Sequence, residues 1–243
     1  MSPIYPEERK KLDVITHLEE LRKRILICLA ALVFVAVLCF WKGGAIMTLV
    51  QRPIRGLVDE LIFISPTEAF IAYIKVSLLF GFVVSFPLIL YQFWAFIAPA
   101  LSKEKRSRMI VWMTFALALF LAGILFSYFL AIPAALKFLL RFSSGIAVAK
   151  ITLGKYISFF GALVLVGGIT FEIPIIIGFL VDVGLVKTRV LKRKRHYAIL
   201  AIMVFAAIIT PTQDILNMLL FAVPMIVLYE IGIIVGAVLE KKA

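Results

Sequence analysis

The sequence predicts an all-α, polytopic membrane bundle of six transmembrane helices, the last two short, with both termini on the cytoplasmic side. Three observations carry that reading. The 243 residues are 63% hydrophobic with a mean hydropathy of +1.10, against about 45–50% apolar in an ordinary soluble domain. The apolar residues fall in runs close to membrane length, separated by polar segments. The basic residues concentrate in alternate segments, which fixes an orientation.

A polar arm, residues 1–24, precedes the first apolar run. Thr16 and Glu19 have the spacing of a capping box, so a helix is expected to begin near Thr16. Leu18, Leu21 and Ile25 fall at i, i+3 and i+7 and give it one apolar face. Span one covers residues 25–41. Residues 42–67 follow, broken into short amphipathic pieces by Gly43-Gly44, Pro53 and Pro66. Span two covers 71–97 and contains Pro87. A basic turn at 102–108 leads to span three, 109–132, and Pro133 is expected to end that span and open a loop reaching Lys155. Span four covers 156–180. After a basic loop at 186–196, two short apolar runs, 197–210 and 215–229, close the chain around Pro211-Thr212-Gln213-Asp214. A helix of 14 residues rises only about 21 Å against a hydrocarbon core of about 30 Å, so this pair reads either as short spans or as a re-entrant hairpin.

The whole chain, 1–243, therefore reads as one integral membrane domain: the arm at 1–24, the six-span bundle at 25–239 and a tail at 240–243. Of 26 Lys and Arg residues, 18 fall in the arm, the turn after span two, the loop after span four and the tail. The opposite loops hold 7. The positive-inside rule places the richer set in the cytoplasm. The net charge of +12 then reflects topology and contact with anionic lipid, and not nucleic acid.

Few residues offer chemistry. Glu172 lies near the middle of span four, where a carboxylate costs about 3 kcal/mol on insertion scales, and Pro174 bends the helix beside it. It reads either as a hydrogen-bonded acid joining helices or as a polar point on the path of a substrate or proton. Gln92 is an amide among the interfacial aromatics Tyr91, Phe93, Trp94 and Phe96, and should bond to another helix. Glu20 either pairs along the helix surface with Lys23 or Arg24, or receives a basic ligand. Asp214 is placed to cap the last helix. Glu230 reads as a snorkelling or paired residue near the inner end of the last span, and Lys75 as one that snorkels to the outer interface. Cys28 and Cys39 are about 16 Å apart along one helix, too far to bridge. With two histidines, no metal-ligand cluster and no phosphate loop, neither an enzyme nor a bound cofactor is expected.

His17–Arg22, Tyr91–Leu101, Phe171–Pro174 and Leu228–Gly232, in order along nearly the whole chain, together resemble the TatC family of twin-arginine translocase subunits. His17-Leu18-Glu19-Glu20-Leu21-Arg22 is similar to its N-terminal signature, and the run from Tyr91 to Leu101 to its second. Phe171-Glu172-Ile173-Pro174 and Leu228-Tyr229-Glu230-Ile231-Gly232 match further positions. The resemblance implies a signal-peptide receptor that exports folded proteins on the proton-motive force, in the cell inner membrane. Its implied partners are single-span TatA/TatB-type subunits, with which it forms a larger oligomeric complex. It also implies that Glu20 is the arginine-contacting acid, with Arg22 in the same signature and Glu104 as the second acid, although the family's Glu usually falls where this chain has Lys105. Glu172 would be the intramembrane acid, and Asp214 would match the family's acidic turn. The competing readings are a proton-coupled secondary transporter with Glu172 as relay, and a structural scaffold.

Overall fold

The computed structural model describes residues 6–58, 60–143, 150–209 and 215–241, and among them there is no strand. The first helix, α1 (Pro6–Trp41), is one continuous rod of 36 residues, roughly 54 Å long at 1.5 Å per residue. Pro6 stands at its first position, where a missing N–H costs nothing and the fixed φ suits a helix. Thr16 is therefore well inside the helix, and the expected capping box at Thr16 and Glu19 does not exist; the helix already has its N-terminus ten residues earlier.

After α1 come the short helix α2 (Gly43–Gln51) and a 3-10 turn at Arg52–Ile54. The long α3 (Pro66–Ile97) passes through Pro87, and α4 (Lys103–Ser107) forms the basic turn. Helix α5 (Met109–Phe126) then runs into a π-helical turn, Ser127–Ala131, and on through α6 (Ile132–Ser143). Pro133 was expected to end this span, yet the rod continues for ten further residues. A proline inside a helix withdraws one N–H and crowds the preceding turn. Widening that turn to π spacing, with the Ile132 N–H donating to the Ser127 carbonyl, absorbs the misfit without stopping the helix.

Span four is α7 (Leu153–Phe171) and α8 (Ile173–Val183), broken at Glu172. Pro174 cannot donate to the Thr170 carbonyl, which accounts for the break. Two short basic helical segments follow: α9 (Thr188–Arg193) and the start of α10 (Arg195–Ile209). The last helix, α11 (Ile215–Glu240), has 26 residues and passes through Pro224. It is therefore not short, in contrast to the 215–229 run expected. Arg195 Nε holds Glu230 Oε1 at 2.7 Å, so the acid is neutralised in place and does not end the helix. Among the described residues, five helical rods are long and apolar enough to cross a membrane, and α10 is a shorter apolar helix.

The core gathers around α7. Tyr156, Phe160 and Leu163 are fully buried there, together with Val76 of α3, Phe120 of α5 and Ile233 of α11. Phe120 stacks on Phe86 of α3 with centroids 3.5 Å apart. Helices α5 and α7 touch through Gly123 and Gly167: a methyl group on Gly123 would strike the Gly167 carbonyl, and one on Gly167 would strike the Ser127 hydroxyl. Ser127 in turn donates to the Leu163 carbonyl at 2.9 Å, which ties the π turn to α7. Helix α1 is peripheral: 6% of its most apolar stretch is buried, against 50% for the α7–α8 rod. It rests on α3 and turns Ile25, Leu29, Val33 and Phe34 outward. Cys28 and Cys39 are both free.

At the end of the bundle away from α4, Glu68 joins two segments. Its carboxylate accepts from the Ile64 N–H at 2.9 Å and the Gly154 N–H at 2.8 Å. Lys75 donates to Ser158 at 2.9 Å, so it ties α3 to α7 at this end. Nothing in the sequence singled out Glu68, because both partners are backbone groups, one of them 86 residues away.

Candidate functional site

The N-terminal segment His17–Arg22 lies where α1 crosses the end of α3. His17, Glu20 and Arg24 fall at i, i+3 and i+7 on one face of α1, and Gln92 and Phe96 fall at i and i+4 on α3. His17 stacks on Phe96 with centroids 4.2 Å apart and planes 18° from parallel. Arg24 donates to Glu20 Oε1 through Nε at 3.0 Å and Nη2 at 2.6 Å. Its third donor, Nη1, reaches Gln92 Oε1 at 2.9 Å. The Arg24 and Glu20 side chains are only 23% and 35% exposed. Gln92 thus bonds across helices, as its depth required, and Glu20 takes Arg24 as its partner.

The structure does not bring the other signature residues into this network. Arg22 and Glu19 are exposed and line a shallow depression with Lys23, Leu26, Ile27 and Ala30, on a different face of α1. Glu104 is exposed in the first turn of α4. Lys105, at the place where the family's acid was expected, points inward and donates to the Val183 carbonyl at 3.0 Å.

Two residues beyond Gln92, and so on the far side of α3, Trp94 opens a second region. It is 2% exposed and packs edge-on against Phe179 of α8 with centroids 4.6 Å apart. Beside it is an apolar groove of about 460 Å³ between the end of α3 and α8, whose lining includes Leu90, Phe93, Ile175, Ile176 and Glu172. The carboxylate is delivered there by the break between α7 and α8. Glu172 Oε1 and Trp94 Nε1 are both buried and have no hydrogen-bond partner among the described residues. Such unmet groups are costly in an apolar setting. Chemically, this groove offers one acceptor and one donor to an apolar segment that carries a polar group.

Asp182, which sequence reasoning passed over, closes the C-terminal end of α8. Its side chain is 3% exposed and accepts from Arg108 Nη1 at 2.6 Å and from Trp112 Nε1 at 3.3 Å. An acid near the end of an apolar run was the available signal, but its partners lie 74 and 70 residues away. Asp214 lies outside the described residues. Among those described, no group of His, Cys, Asp and Glu could hold a metal ion.

Comparison with known proteins gives one consistent result. A family model described as Sec-independent protein translocase protein (TatC) matches residues 16–224. The protein of that name from Carboxydothermus hydrogenoformans is 33% identical, with 97% of each chain covered. That from Aquifex aeolicus is 38% identical over 93% of this chain and 95% of its own. A crystal structure of the twin-arginine translocase receptor TatC superposes with a TM-score of 0.82 at 38% identity, over 92% of this chain and 99% of the other.

Proposed function

We propose, from the premise that this chain belongs to the TatC family of Sec-independent protein translocase proteins, that it receives twin-arginine signal peptides at the α1–α3 crossing. Membership makes it a multi-pass component of the twin-arginine translocase, a protein-transport machine assembled with other Tat subunits, and does not favour a proton-coupled solute transporter. The finer reading is ours. Glu20 is the acid that takes a ligand guanidinium, Gln92 supplies a second acceptor beside it, and Arg22 and Glu104 border the approach. Glu172 serves in the groove, where single-span TatA/TatB-type subunits or the apolar part of the peptide would meet it. Asp214 is the acid of the outer turn. The export of folded cargo draws on the proton-motive force and needs no catalytic group or cofactor in this chain.

The single observation that carries this reading is the guanidinium already held between Glu20 and Gln92. Fork-shaped donors on a carboxylate give directional pairing that an ammonium does not match. The test is binding of a twin-arginine peptide and its twin-lysine version to the full chain in lipid nanodiscs. The arginine form should bind at least about tenfold tighter, and Glu20→Gln should remove most of that difference. Equal binding of both peptides would refute the reading.

The proposed site is a cytoplasmic one, with both termini and residues 102–108 on that side of the plasma membrane, where anionic lipid screens the basic loops. Single cysteines at Ser107 and Lys155, in a chain lacking Cys28 and Cys39, should label from opposite sides of the membrane. Labelling of both from one side would overturn the orientation.

A further inference from the structure

Resting on the receptor reading above, we propose that Arg24 is an internal competitor for the ligand, so that a twin-arginine peptide binds by exchange and not by addition. Arg24 directs Nε and Nη2 to Glu20 and Nη1 to Gln92, at 3.0, 2.6 and 2.9 Å. These are the contacts that a ligand arginine would need at the same two acceptors. The arrangement is three-quarters buried at Arg24, held in register by the helix itself at i, i+4, and reinforced on the same face by the His17–Phe96 stack. An arriving guanidinium finds Glu20 Oε1 and Gln92 Oε1 already in use.

The consequence is quantitative. A ligand that binds only the open form has its apparent Kd raised by the inverse of the open fraction. That factor is the same for every ligand that must displace Arg24, whether it carries arginine or lysine. Arg24 therefore leaves the ratio between ligands unchanged and lifts the whole scale. Weak cationic segments fall below useful affinity, while a peptide with two guanidinium groups stays above it. Such a threshold suits a face that is densely basic and coated with anionic lipid, where an open carboxylate would attract any cationic segment.

The exchange also has a mechanical side. Releasing Arg24 removes a side-chain hydrogen bond that ties α1 to α3. Ligand capture at Glu20 and loosening of the α1–α3 crossing are then one event.

The test uses the full chain in nanodiscs, with twin-arginine and twin-lysine peptides titrated against wild type, Arg24→Gln and Arg24→Lys. Arg24→Gln should bind both peptides more tightly by the same factor, roughly three- to tenfold. Arg24→Lys, which keeps the charge but not the fork, should gain about twofold. Unchanged or weaker binding of the arginine peptide in Arg24→Gln would overturn the proposal, because Arg24 would then be spectator or scaffold. If that variant does not accumulate, the Arg24→Lys result stands in its place under the same criterion. Failure of the receptor reading looks different: wild type would not distinguish the two peptides, or Glu20→Gln would bind the arginine form as wild type does.

Discussion

The two faces of α3 treat their polar groups in opposite ways. On the α1 side, Glu20, Arg24 and Gln92 satisfy one another. On the α8 side, Glu172 and Trp94 each present a buried polar atom with no partner among the described residues. A satisfied network in a part-buried site is stable at rest and changes only by exchange of partners. An unsatisfied pair in an apolar groove gains from whatever arrives with the missing bond. A ligand can enter the first arrangement only by exchange; the second favours occupation. One helix carries both, with Gln92 and Trp94 two residues apart.

The largest effect expected is at the satisfied site. Glu20→Lys places a cation against Arg24 and removes the acceptor, and should lower twin-arginine peptide crosslinking about a hundredfold. A loss of less than about threefold would mean that the α1–α3 crossing is not where the peptide binds.

Next is the anchor that holds α8 against the groove. Asp182→Ala removes the acceptor of Arg108 and Trp112 and leaves both donors stranded. Breaking a fully buried pair costs about 3–5 kcal/mol; because Arg108 is 49% exposed, about 2 kcal/mol is expected here, read as a drop in thermal stability in detergent. An unchanged melting temperature would show that the groove wall does not depend on this pair.

Glu172→Gln keeps the shape of the groove and an acceptor while removing the acid. Export should slow by roughly tenfold with membrane accumulation and peptide binding within about twofold of wild type. If the variant fails to accumulate, the acid is a structural tie between helices. The two faces of α3 would then differ in stability, and not in the step each serves.

Much of this contrast was legible in the sequence, and what was not has physical causes. The apolar runs of α1, α3, α5 and α7–α8 were placed by length and hydropathy because each is close to membrane length and bounded by polar segments. Glu172 and Gln92 stood out as polar groups at depth, and Glu20 as an acid among bases. The misreadings are cases where a local signal was answered by a distant partner. Pro133 reads as a stop unless Ser127 opens a π turn, and Ser127 is fixed by Leu163 of another helix. Glu230, read as snorkelling or paired, is indeed paired, but with Arg195, 35 residues away. Asp182 and Glu68 gain their roles from partners 74 and 86 residues away. Orphaned atoms such as Glu172 Oε1 are invisible in a sequence, since they are defined by what three-dimensional packing fails to supply.

The smallest expected effect is the one that separates the two readings of the signature. Read from sequence, Glu19 closes a capping box with Thr16, and its loss should cost about 1 kcal/mol of helix stability. In the structure the helix begins at Pro6, so the backbone N–H that such a carboxylate would cap is already committed within the helix. Glu19 is exposed, one residue and about 100° around the helix from Glu20, beside Arg22 and Lys23. Its charge contributes a weak, screened attraction to an approaching arginine peptide and no direct contact at the α1–α3 crossing. Glu19→Gln should therefore leave thermal stability within about 0.5 kcal/mol and peptide affinity within about twofold, the remaining change fading as salt is raised. Losses at Glu19 as large as those at Glu20 would mean that the peptide reads the acidic pair as a whole, and that the Glu20–Arg24–Gln92 network is not the discriminating element.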